Sequence, residues 1–291
     1  AVDTVTTSVV TVTVVPANTD TAEVSTLQDT LDANTSSPAH LIAYPGADGV
    51  VSLREAILAA NNRAGADSIT FNSAGTIVLG QGLPSLSDAN GGTTIDGGGD
   101  ITINGQNLGS SVVGLQVDTG SNALRGLTLI NFPGNGVTIS GATATGNTVT
   151  GCRIGTNGTS LAGNGGHGIE ISGGASFNLI GGSEVDSRNI ISGNDRSGVY
   201  VTDGGTANNR VLGNYIGTSA NGLAAIANGE SGIAFVDGAA GNFAGDEVEG
   251  EGNVVSANNG AGILLSGAGT TQNTVAGNVI GLNATADNGL G

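Results

Sequence analysis

Five copies of one segment pattern recur at nearly even spacing, and they leave few folds open to this chain. Each copy opens with Gly and a branched apolar residue, at Gly136-Val137, Gly168-Ile169, Gly198-Val199, Gly232-Ile233 and Gly262-Ile263, in steps of 32, 30, 34 and 30 residues. A second register, Asn then apolar, follows at Asn147-Thr148-Val149, Asn178-Leu179-Ile180, Asn209-Arg210-Val211, Asn242-Phe243 and Asn273-Thr274-Val275. A third closes each unit, at Cys152-Arg153-Ile154, Asn189-Ile190-Ile191, Asn214-Tyr215-Ile216, Asn253-Val254-Val255 and Asn278-Val279-Ile280. Three short strands per ~31 residues, with turns between them, are the mark of a stacked solenoid.

Composition agrees. Glycine makes up 53 of the 291 residues without a collagen period, and the apolar residues are nearly all Val, Ile, Leu and Ala. Such a core suits small branched side chains stacked turn over turn, with glycines at corners that need positive φ. The formal net charge is −17 and all seven basic residues are arginine. Nucleic acid is excluded as a partner, because phosphate neutralisation needs a basic patch. The same charge disfavours an anionic membrane surface, and no apolar run is long enough to insert into a bilayer. A lone cysteine, Cys152, rules out an internal disulfide; it stands where the other turns carry Asn and reads as a structural thiol.

The expected organisation has three parts. Residues 1–50 hold a Val/Thr-rich strand (Ala1 to Val15) and a polar loop. Residues 51–66 hold a helix that starts at Ser52 with Glu55 three residues on, a capping box, and aligns Leu53, Ile57 and Ala60 on one face. This helix covers the otherwise wet end of the first turn. Residues 67–291 form the solenoid, of roughly eight turns and about 40 Å, with an uncapped C-terminal end. Long turns such as Thr156 to Gly166 and Thr218 to Ser231 alternate with short ones, so one flank should carry loops on every second turn.

Val51-Ser52-Leu53-Arg54-Glu55-Ala56-Ile57, Ala60-Asn61, Gly65-Ala66-Asp67-Ser68-Ile69-Thr70-Phe71, Gly75-Thr76-Ile77, Leu83-Pro84 and Thr94-Ile95-Asp96-Gly97 together resemble the CSLREAI-type N-terminal region of secreted parallel β-helix proteins. The likeness is close over about residues 51–105, and the later turns resemble the generic pectate-lyase-like β-helix repeat. Val51 stands where the family has Cys, so any thiol role there is lost. The resemblance implies an all-β, right-handed, single-stranded parallel β-helix with one N-terminal capping helix, and a secreted or cell-surface location. It implies no particular reaction. A chain that begins at Ala1 without Met fits an exported protein whose leader has been removed.

Candidate sites are few. His167, in Gly166-His167-Gly168-Ile169, copies a short polygalacturonase motif, but the paired aspartates and the lysine of that family's basic motif are missing, and Asn18-Thr19-Asp20 lies far from it in sequence. A pectate-lyase chemistry would need a calcium-binding carboxylate cluster beside an Arg or Lys base. Asp246, Glu247, Glu249 and Glu251 form the densest acidic patch and offer oxygen ligands for Ca2+; a solvated loop is the favoured reading. Sequons place glycosylation candidates at Asn34, Asn157 and Asn283. The resulting expectation is a non-enzymatic extracellular structural or adhesive element without a required cofactor. It would stack head to tail through the strand bearing Val9, Val10, Val12 and Val14 and the open turn bearing Val279 and Ile280, or contact host surfaces and glycans through its flank loops. The alternative is a polysaccharide lyase or hydrolase.

Overall fold

The computed structural model describes residues 20–89 and 91–290; the strand expected over residues 1–15, with Val9, Val10, Val12 and Val14, lies outside them. The described chain is a parallel β-solenoid-like fold, mostly sheet, with three stacks of short strands in register. The first stack runs Leu115–Val117, Val137–Ser140, Ile169–Ser172, Val199–Val201, Ile233–Val236 and Ile263–Ser266. The second includes Thr148–Thr150, Leu179–Gly181, Arg210–Leu212, Phe243–Ala244 and Thr274–Val275. The third includes Arg153–Ile154, Ile190–Ile191, Tyr215–Ile216, Val254–Val255 and Val279–Ile280. These are the three registers of the repeat.

Period-2 alternation points one set of side chains inward. Val137, Ile169, Val199 and Ile233 pair column-wise, as do Ile139, Ile171, Val201 and Phe235, and all are fully buried. Each such side chain contributes about 1.5–3 kcal/mol by leaving water.

Polar groups enter this interior as three asparagine ladders. Asn122, Asn147, Asn178, Asn209, Asn242 and Asn273 form one, each Nδ2 donating to the Oδ1 of the next at 2.8–3.2 Å. Asn189, Asn214, Asn253 and Asn278 form the second, and Asn164, Asn194, Asn228 and Asn258 the third. An amide suits this position because it has an acceptor for the turn before and donors for the turn after, and a buried unpaired group would cost about 1–3 kcal/mol.

Three expectations need correction at the N-terminal side. Residues 17–50 contain more than loop: Thr21–Val24 is a strand paired in parallel with Ser68–Phe71, and Pro38–Ala43 is a helix. Among the described residues there are therefore two α-helices, α1 (Pro38–Ala43) and α2 (Leu53–Asn61), where one was expected, and α1 packs on α2 and on the first strand. Ser37 caps α1 through its side chain and Pro38 takes the first helical position, a start signal hidden in a polar stretch. Third, the separate strands expected at Thr94–Asp96 and Ile101–Ile103 are one strand, Thr93–Asn104, whose register shifts between Asp96 and Ile101. The glycines at 97–99 let the backbone turn the corner without leaving the sheet.

The capping box on α2 is formed as expected, and Leu53, Ile57 and Ala60 are buried. Its charged residues are buried as well. Arg54 forks onto Asp29 (Nε to Oδ1 2.8 Å, Nη2 to Oδ2 2.9 Å) and donates to the carbonyls of Gln81 and Gly82. Glu55 accepts from the backbone N–H of Asp32, Ala33 and Ser52. These two residues tie the segment before α2 onto the first turns.

Candidate functional site

His167 sits in the turn that enters the first stack, 2 % exposed. Its Nδ1 accepts the N–H of Ser197 at 3.1 Å, and its ring stacks on Tyr200 with centroids 4.2 Å apart. Burial, followed by the Arg196 charge, lowers its pKa to about 4, while Glu170 and Glu230 pull weakly the other way. Both carboxylates are engaged elsewhere: Glu170 takes Asn135 Nδ2, and Glu230 takes Arg196 and Ser197. A neutral, buried imidazole that accepts a backbone hydrogen bond links two turns of the coil; it is poorly placed to exchange protons with a substrate.

In the acidic patch, Asp246 and Glu251 both accept from Arg210 Nη2, at 3.0 and 3.2 Å, while Glu247 and Glu249 face solvent. The arginine already offsets the two carboxylates nearest the body. The sequons differ among themselves. Asn157 is exposed, and its Oδ1 folds the turn by accepting from Thr159 and Ser160. Asn283 is buried, and its Nδ2, the nitrogen that would carry a sugar, donates to Asp287 at 2.7 Å. Asn34 is exposed, with its Oδ1 accepting the Ser36 N–H. Val279 and Ile280 lie in the last described turn, where Leu265, Val275 and Ile280 are 42–49 % exposed.

The long turns form a wall. Short antiparallel bridges close them at Thr156–Leu161, Thr218–Ala225 and Leu282–Gly289, on every second turn. Ala220 N–H donates to Gly158 O and Ala284 N–H to Gly222 O, so the loops bond to one another along the axis.

The bend between the second and third stacks holds a groove that nothing in the repeat pattern had singled out. That bend is one glycine long at Gly126, Gly151, Gly213 and Gly277, all at positive φ, and longer at residues 97–100, 182–188 and 245–252. Two one-glycine bends in succession, Gly126 and Gly151, leave a bay between the longer bends on either side. It opens a groove of about 750 Å³, walled by Gly98, Gly99, Val185, Asp186 and Arg188 and bordered by Ala220 of the loop wall. Arg125 and Arg153 flank its glycine floor. Arg188 lies over the Tyr215 ring, 4.2 Å from its centroid, and donates to Gly213 O.

Beneath the groove, Cys152 is fully buried, and its Sγ is directed at the carbonyls of Thr150 and Leu124. Burial pushes the thiol up to about 12, so it stays protonated and inert at neutral pH. Among the described residues, no helix is long and apolar enough to cross a membrane and no cluster of three metal-ligating side chains occurs. No protein-family model, curated protein or solved structure matches this chain.

Proposed function

We propose that the chain is a non-enzymatic β-solenoid of the CSLREAI-type secreted kind, wound right-handed, that serves outside the cell as a rigid structural and adhesive element. Right-handed crossover is the general rule for parallel strands joined within a sheet. The observation that carries the reading is the set of asparagine ladders: every turn they cross is bonded to the next through side chains as well as backbone, which makes a stiff rod. The buried roles of Arg54 and Glu55 support the family resemblance, because the motif's charged residues hold the lid of the coil. The neutral His167 weighs against glycan hydrolysis at that site.

The rod presents a loop wall along one flank, and in this reading the last described turn, with Leu265, Val275 and Ile280, docks on a second copy. Negative-stain microscopy over a concentration series tests the axial contact. Filaments are expected, and Ile280→Glu with Leu265→Glu should reduce them to rods of one length. Wild-type rods of a single length at every concentration would end the head-to-tail reading and leave the adhesive one.

A further inference from the structure

The seven arginines divide into two groups. Arg54, Arg63, Arg196 and Arg210 each pair with a carboxylate. Arg125, Arg153 and Arg188 pair with none among the described residues, although the chain carries 24 acidic residues, and all three line the same groove. The groove holds three arginines against two aspartates, Asp96 and Asp186, so it reverses locally the sign of a chain whose formal net charge is −17. Asp96 is itself turned inward along the backbone, with Oδ1 on the Gly98 N–H at 2.9 Å.

A second observation gives the shape of the ligand. The groove shares Asp96 and Gly98 with a depression lined by Phe71 and Asp100, and Thr150 and Ser187 with one lined by Phe177, Leu179 and Arg210. The three run end to end along the solenoid axis. Phe177, held at φ 58° and 65 % exposed, presents an apolar ring in the third. The track thus has its acid-binding groups in the middle, an aromatic ring toward each end (Phe71 and Phe177) and further carboxylates only at those ends (Asp100, Glu184 and Glu251), which suits a chain of rings whose acid groups sit at the centre.

We infer that this track binds an acidic oligosaccharide, its carboxylate or sulfate groups received by Arg125, Arg153 and Arg188. The inference rests on the adhesive half of the proposed function and names its ligand class. Guanidinium forks match both anions, and the two sources share one chemistry here. Nucleic acid fits worse: duplex DNA carries a charge about every 1.7 Å, and beyond the three arginines it would meet an acidic surface.

The test is isothermal titration of the full chain with a glucuronate-bearing hexasaccharide, a sulfated hexasaccharide and a neutral hexasaccharide. Binding is expected for at least one acidic sugar, weakening as salt rises, and its identity separates carboxylate from sulfate as the group read. Arg125→Ala and Arg153→Ala should each weaken it about tenfold, while Arg196→Ala, off the groove, leaves it unchanged. Among the described residues the Arg125 side chain makes no hydrogen bond or ion pair, so its variant retains the fold even if the Arg153 variant, which loses a bond to Gly99 O, does not. Equal binding of the neutral sugar, equal affinity of the Arg125 variant, or tighter binding of a single-stranded oligonucleotide would overturn the inference. Absence of any sugar binding by intact rods removes the inference and leaves the scaffold reading. New reducing ends in the titrated sugar would instead remove the non-enzymatic reading and leave the groove as its binding site.

Discussion

In the cap, residues 20–66, buried polar demand is met by ions: Arg54 on Asp29, and Glu55 on three backbone N–H groups. In the coiled body the same demand is met by neutral amides, one per turn per ladder. The difference follows from symmetry. Where each turn repeats the last, a single Asn accepts from one neighbour and donates to the other, so the ladder extends without net charge. At a closed end there is no next turn, and several unlike groups must be gathered at once. Arg, with five donors, and a carboxylate, with two acceptor oxygens, do this with one side chain each. The ladders in fact start well inside the body: the first begins at Asn122, which caps Thr93 N–H, and the third at Asn164, which caps Phe132 N–H.

The sharpest way to break this contrast is to remove one member of each kind. Arg54→Ala would leave the buried Asp29 carboxylate without its countercharge, held by Gly80 N–H, and the Gln81 and Gly82 carbonyls without the Arg54 donors. Loss of one partner of a buried pair costs about 3–5 kcal/mol. Asn209→Ala would remove the bonds to Asn178, Asn242 and Ala175, for about 1–3 kcal/mol, and the damage should stay in the adjoining turns. Urea unfolding of both variants ranks them. A larger loss for Asn209→Ala would mean that the ladders, and not the lid, limit stability.

The body has a titrating exception to its neutral chemistry in His167. Folding lowers the His167 pKa from 6.5 to about 4, so the unfolded chain takes up the proton first. Its contribution is complete above pH 6.5, declines as pH falls from 6.5 to about 4, and amounts to about 3 kcal/mol. Arg196 on the neighbouring turn adds to the penalty for the charged ring, and Glu170 and Glu230 reduce it. His167→Ser copies the residue that Ser197 and Ser231 provide in equivalent turns and should flatten this part of the stability profile. Parallel profiles for wild type and variant between pH 6.5 and 4.5 would show that the ring is protonated inside the fold.

What the sequence makes legible follows the same division. Translational repetition is visible as spacing, so the strand registers, two of the three ladder columns and the alternate long loops could all be read directly. The third ladder escaped because Asn164, Asn194, Asn228 and Asn258 sit in turns of unequal length, where no apolar residue follows the Asn as it does in the other two columns. The cap escaped in part because it does not repeat: α1 is six residues in a polar stretch, and its partner contacts are long-range. The arginine groove escaped because net charge averages over the whole surface. A total of −17 argues against anionic ligands, yet it says nothing about where three unpaired guanidinium groups fall. The signal that was present is the pair of one-glycine bends at Gly126 and Gly151, visible once the stacks are aligned.

The smallest effect concerns the turn just before the second ladder begins. Cys152 occupies the Asn column of the second ladder, and its own N–H already donates to Asn189 Oδ1 at 2.9 Å. Its sulfur is directed at Leu124 O and Thr150 O, the counterparts of the Ile180 and Leu212 carbonyls that Asn214 Nδ2 reaches two turns later. The backbone N–H groups of Gly126 and Leu127 face the same sulfur from the preceding turn, where an amide oxygen would accept. Cys152→Asn therefore finds donors and acceptors already in place and should stabilise the fold by about 1 kcal/mol, seen as a higher urea midpoint at unchanged slope. A lower midpoint would show that the corner formed by the Gly126 and Gly151 bends is too tight for an amide. In that case the thiol is there for its size, closing the floor beneath the arginine groove.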